Sequence, residues 1–100
     1  MKVNINSVHF KADSKLLTFI EQKVDKLGVF YEGIIGSDVS LKVSNQNSKE
    51  NKIAEIRLNV RGYDFFAKKQ CHSFEEATDQ AVEALRRQLT RHKDKSRKKY

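Results

Sequence analysis

Apolar residues recur along this chain at two spacings, and the switches between them mark out six elements. Val3 and Ile5, then Val8 and Phe10, alternate with polar residues as a strand does, and the alternation slips near Ser7, where a bulge would restore it. Leu16, Ile20, Val24 and Leu27, with Leu17 beside them, return at helical spacing. Asp13 or Ser14 can cap the start of this helix, and Gly28 suits a left-handed close. After a connection over residues 29–36, Val39, Leu41 and Val43 alternate with Ser40 and Lys42 in a half-buried strand. Ser44 to Lys52 is polar and reads as a flexible hairpin loop, after which Ala54, Ile56, Leu58 and Val60 alternate with Glu55, Arg57 and Asn59. Gly62 permits a tight turn into a fourth strand, Tyr63 to Cys71. Ser73 and Glu76 form a capping box ahead of a second helical stripe of Phe74, Ala77, Ala81, Leu85 and Leu89. Packing can hold that helix to Lys93 or Lys95.

The order is therefore β-α-β-β-β-α. A helix between the first two strands implies a parallel crossover, and the short later links imply an antiparallel meander. Each helix has one apolar side, so both are expected on one face of a four-stranded mixed sheet with the other face wet. The predicted class is α+β, a two-layer sandwich. Residues 1–95 form its single domain, and residues 96–100 a basic, disordered tail.

Charge changes this picture from a fold to a surface. The last 15 residues, Arg86 to Tyr100, hold eight Lys or Arg and one acid, Asp94, for a formal +7 that equals the net charge of the whole chain. Residues 1–85 then balance, with 12 of the 20 basic residues against 12 of the 13 acidic ones. A helix C-terminus presents only about half a negative charge, so dipole complementation alone does not account for such a cluster. Nucleic-acid phosphate is the common target of a concentrated Lys and Arg field.

On the second helix Arg87, Arg91 and Lys98 form a row along one edge of the apolar stripe, and Arg86, Lys93 and Arg97 line the other. Glu75, Glu76, Asp79 and Glu83 in its first turns read as dipole and capping residues. Lys15, Phe19, Lys23 and Lys26 fall on one edge of the first helix; Phe19 reads as a widening of the core stripe, the lysines as phosphate ligands.

No catalytic arrangement, metal site or cofactor site is read from the chain. His9, His72 and His92 lack metal-ligand spacing, and Cys71 and His72, adjacent on an extended strand, point to opposite faces. A lone cysteine, the lack of an apolar leader at Met1-Lys2-Val3-Asn4 and the lack of a membrane-length apolar run predict a cytoplasmic protein with no membrane partner.

The chain resembles the ribosome hibernation-promoting factor and ribosome-associated inhibitor A family, in its short single-domain form. The resemblance runs from Val3 to Lys98. It rests on Val3-Asn4-Ile5 with His9-Phe10, on Lys23-Val24-Asp25-Lys26-Leu27, and above all on Ala81-Val82 and the run from Leu85 through Arg86, Arg87, Gln88, Leu89, Thr90, Arg91, His92, Lys93 and Asp94 to Lys95. Thr78 stands where relatives usually have an aliphatic residue, and Glu75 where many have an aromatic one.

That resemblance implies a non-enzymatic protein with the topology of a double-stranded RNA-binding domain. It implies binding to the small ribosomal subunit and its rRNA, in the mRNA channel and the A and P tRNA sites, with translation blocked and idle ribosomes preserved in stress or stationary phase. The implied rRNA-binding residues are Lys23, Lys26, Arg87 and Arg91, with Arg86, Lys93 and Lys95 sharing the phosphate field. No small-molecule substrate is expected, and off the ribosome the protein is expected to be a monomer. Neither the C-terminal domain with which long members pair ribosomes nor the acidic tail that opposes pairing is expected. The same surface and topology leave a general double-stranded RNA-binding module as the alternative, and an acyl-phosphate hydrolase as a remoter one.

Overall fold

A computed structural model describes residues 1–45 and 49–97, with side chains as far as Lys93. The elements are β1 (Lys2–Ser7), α1 (Ser14–Phe30), β2 (Ile34–Val43), β3 (Lys52–Val60), β4 (Tyr63–Cys71) and α2 (Phe74–Arg97). The sheet runs β1-β2-β3-β4, with β1 parallel to β2 and the other pairs antiparallel. This is the expected α+β sandwich.

The register explains why the helices share one face. Ile5 pairs with Val39, Val39 with Ile56 and Ile56 with Ala67, so an apolar row crosses all four strands on one side of the pleat. Ile20, Val24 and Leu27 of α1 and Ala77, Ala81, Leu85 and Leu89 of α2 close over that side as one buried cluster. The far face carries polar side chains. There Glu55 accepts Lys42 at 3.3 Å and lies 3.8 Å from Lys68, and Asn4 donates to Asp38 at 3.2 Å. Lys42 and Lys68 of this face thus share the Glu55 carboxylate.

Several boundaries differ from the sequence reading. β1 stops at Ser7 and does not resume through Phe10: Val8 still donates to the Leu41 carbonyl at 2.9 Å, but His9 adopts φ 63° and turns the chain away. Phe10 then stacks on Phe74, with ring centroids 5.0 Å apart and planes within 9°. The slipped alternation marks an exit from the sheet, not a bulge within it.

α1 passes through Gly28 to Phe30, and Tyr31 caps it by donating to the Leu27 carbonyl at 2.9 Å. A Cβ at Gly28 would lie 3.1 Å from Met1 Cε, so the glycine provides a seat for the N-terminal side chain. The left-handed residue is Gly33, φ 112°. β2 begins at Ile34, inside the expected connection, with a register shift between Ile34 and Gly36.

The loop residues 46–48 lie outside the described residues; beside them Ser44 donates to the Asn51 carbonyl at 2.8 Å. Gly62 has the positive φ of 83° that the turn into β4 needs. The capping box forms, with Glu76 N donating to Ser73 Oγ at 3.1 Å, but the Glu76 carboxylate accepts from His72 N at 3.3 Å, one residue before the usual donor. α2 reaches Arg97, two residues past the expected domain edge at 95. Its last two turns contain no Gly or Pro, and their cations complement the helix dipole. Residues 98–100, the rest of the expected tail, lie outside the described residues.

Thr78 is fully buried on the α2 stripe, and its hydroxyl has no hydrogen-bond partner among the described residues. Leaving a buried hydroxyl unsatisfied costs about 1–3 kcal/mol. Thr78→Val, which keeps the shape, is therefore expected to raise stability by about 1 kcal/mol in chemical denaturation. A loss of stability would mean that the hydroxyl has a partner in solution.

Candidate nucleic-acid interface

α1 and α2 lie side by side, and the sequence dictates which edges meet. On α1, Lys23, Lys26 and Phe30 fall on the flank next to Phe19; on α2, Asp79, Val82 and Arg86 fall on one flank of the stripe. Between these flanks runs a groove of about 530 Å³, floored by Leu27, Phe30 and Val82 and edged by Lys23, Lys26 and Arg86. Asp79 and Glu83 edge it too. The sequence marks these two acids as dipole and capping residues, with Glu83 set to pair with Arg87 at i,i+4; no such pair forms among the described residues, and their place in the groove depends on how α2 is rotated against α1.

Lys23 Nζ sits 3.1 Å from Asp79 Oδ1 and 5.5 Å from the Phe19 ring centroid. Phe19 itself packs against the core, as its place on the stripe implied. The pair is partly exposed, with side chains 34% and 51% accessible, and such a pair contributes at most about 1 kcal/mol. A phosphate can displace Asp79 at little cost.

Arg86 is exposed, its guanidinium 4.9 Å from the Phe30 ring centroid, which orients it toward the groove mouth. Lys93 points inward instead: Nζ donates to the Phe30 carbonyl at 3.0 Å and lies 4.6 Å and 5.9 Å from the Phe30 and Tyr31 ring centroids. α1 has no basic residue in its own last turn, so Lys93 supplies from α2 the cation that its terminal carbonyls favour. Lys93 thus ties the helix ends together. Lys93→Met is expected to lower stability by about 1–2 kcal/mol, as loss of a charged hydrogen bond does. Unchanged thermal and urea unfolding would contradict the tie.

Arg87 and Arg91 are exposed on the opposite flank of α2, away from the groove. That flank overlooks the β4 edge, where Gln88 Nε2 donates to the Phe66 carbonyl at 3.0 Å. Among the described residues neither arginine has an ion-pair partner. Lys95 belongs to α2, with its side chain outside the described set. The structure therefore brings Lys23, Lys26 and Arg86 together on one side of α2 and sets Arg87 and Arg91 on the other, all on the helix layer.

Cys71 and His72 do not combine. Burial pushes the Cys71 thiol above its usual range, reinforced by the Glu76 carboxylate, whereas His72 is exposed with Nε2 3.8 Å from Glu50. Among the described residues no helix is long and apolar enough to cross a membrane.

Residues 3–97 match the family model described as Sigma 54 modulation protein / S30EA ribosomal protein. The chain belongs to that family. Ribosome hibernation promoting factor from Salmonella typhimurium is 34% identical over 95 residues, covering 95% of this chain and 96% of that protein. The Klebsiella oxytoca protein of the same name is 32% identical over the same shares. The fold matches a ribosomal subunit interface protein from Coxiella burnetii with a TM-score of 0.82 at 16% identity, over 94% of this chain and 99% of that one. This ribosomal family is non-enzymatic, which disposes of the acyl-phosphate hydrolase. The Arg86 to Lys95 run and the Lys23 to Leu27 run, on which the resemblance was read, both lie within the matched span.

Proposed function

We propose that this protein is a ribosome-associated hibernation factor, acting in the cytoplasm as a monomer until it meets a ribosome. Family membership over residues 3–97 supports the ribosome as partner. The observation that carries the finer reading is a pair of exposed cations on α2, Arg87 and Arg91, with no ion-pair partner among the described residues, on the flank opposite a groove edged by Lys23, Lys26 and Arg86. These five side chains, with Lys95 and in part Lys93 in the same field, would hold rRNA backbone of the small subunit in the mRNA channel and the A and P tRNA sites. Contacts of this kind read backbone and shape, because A-form RNA hides its base edges in a deep major groove.

Occupancy alone would then block translation and preserve idle ribosomes in stress or stationary phase. Residues 1–95 are assigned as the binding domain, with the residues after it adding charge. The test is cell-free translation with and without the purified protein, followed by release with competitor RNA. Stoichiometric inhibition that an arbitrary duplex RNA does not relieve is expected. Relief by any duplex of equal length would instead establish a general double-stranded RNA binder.

A further inference from the structure

His92 lies inside the signature run of α2, yet the phosphate-binding reading gives it no task. Three rings surround it. Its imidazole meets Tyr63 edge-on at 4.7 Å between centroids and Phe65 edge-on at 5.5 Å, and it tilts against Tyr31 at 6.1 Å. Tyr63 also stacks loosely on Phe65, at 6.5 Å and 28°. Tyr31, Phe65 and His92 are half-buried, whereas Tyr63 remains 57% exposed. The cluster thus holds one large aromatic ring between His92 and Phe65 while leaving more than half of it exposed.

A ring of this size gains stability by burial, yet His92 and Phe65 hold Tyr63 in an exposed position. The surroundings select the occupant. Tyr63 opens β4 two residues after exposed Arg61, across the Gly62 turn, and the His92 that meets it directly follows exposed Arg91 on α2. An exposed aromatic ring with one cation two residues away on its own turn and another next to its supporting imidazole fits a planar, weakly polar group carried on an anionic chain. A nucleobase on its phosphodiester backbone has that chemistry, since every base presents a π-face and every link a charge.

We infer that Tyr63, positioned by His92 and Phe65, is a stacking platform for an unpaired RNA base whose flanking phosphates are held by Arg61 and Arg91. This rests on the ribosome reading for its choice of RNA and adds to it a site that requires an unstacked nucleotide. Duplex RNA cannot use it, because its bases are already stacked on one another. His92 acts through Tyr63 as a positioning residue, and its own contact with RNA is not required.

The test uses the full chain with two RNA probes of equal nucleotide count and so of equal charge, one an unstructured strand with a central 2-aminopurine and one a hairpin closed into duplex. Binding of the single strand is expected to quench 2-aminopurine fluorescence. Tyr63→Ala should weaken that binding roughly 5- to 150-fold, the range found for loss of one base–aromatic stack, while duplex affinity stays within about 2-fold. Tyr63→Phe should retain both quenching and affinity. His92→Ala, with folding verified by melting, should reduce the quench while leaving duplex binding unchanged.

Equal affinity of wild type and Tyr63→Ala for the single strand would overturn the platform, as would loss of equal size on both RNAs. Pelleting of the wild-type protein with ribosomes is scored separately. Failure of pelleting with a normal quench contradicts the ribosome reading alone, and normal pelleting with no quench contradicts the platform alone.

Discussion

Arg87→Glu combined with Arg91→Glu is expected to abolish co-sedimentation with ribosomes in a protein that remains folded. Each arginine is exposed and has no ion-pair partner among the described residues, so each is free to form a charge-assisted bond to phosphate. Such bonds contribute about 1.5–3 kcal/mol each, and losing two weakens binding on the order of 10²- to 10⁴-fold before the added repulsion is counted. The effect on stability is much smaller. Reversal places carboxylates toward the negative end of α2 and sets residue 87 one turn from Glu83, which costs about 1 kcal/mol out of the 5–15 kcal/mol typical of a domain. Loss of pelleting together with a well-defined thermal transition is the expected pair of readouts. Pelleting at wild-type level would remove this flank from the interface.

The largest effect on stability is expected at Leu85. It is fully buried where α2 crosses the apolar row of the sheet, so Leu85→Ala removes buried methyl groups and leaves a cavity that rigid strands cannot close. A loss of about 2–5 kcal/mol follows, which at roughly 4–8 °C per kcal/mol is readily visible in a melting curve. Ribosome binding at low temperature should fall only in proportion to the unfolded fraction, because Leu85 carries no charge to the surface. A loss below about 1 kcal/mol would mean that α2 is not packed as tightly as its zero exposure indicates.

Leu85 belongs to a stripe whose spacing is a property of one helix, and the alternation of β3 is equally local, so its buried face follows from it. The fold class is legible for the same reason. The two faces of β4 are less clearly separated in the sequence, and β3 begins at Lys52, inside the expected loop. Boundaries that depend on partners are not legible. Gly28 reads as a terminator until Met1 is seen against it, and β2 extends to Ile34 because Val60 of β3 offers it an antiparallel partner.

The candidate residues of the proposed interface are marked in the sequence, and their arrangement is not. Charge along α2 marks Arg86, Arg87 and Arg91, but only packing against α1 shows that Arg86 joins Lys23 and Lys26 while Arg87 and Arg91 face the β4 edge. Lys93 looked like its neighbours in sequence. Its inward turn depends on the Phe30 carbonyl, 63 positions earlier in the chain. Thr78 was visible as a departure from the family, and its burial gives that departure an energy.

On the proposed function, the cations of the helix layer hold small-subunit rRNA by its phosphates. Sedimentation of the wild-type protein with purified small and large subunits across a salt series tests it most directly. Six to ten phosphate contacts imply a roughly 10³- to 10⁵-fold loss of affinity between about 50 and 200 mM salt on duplex-DNA values, with the small subunit preferred throughout. Affinity that is independent of salt, or equal for the two subunits, would contradict the account.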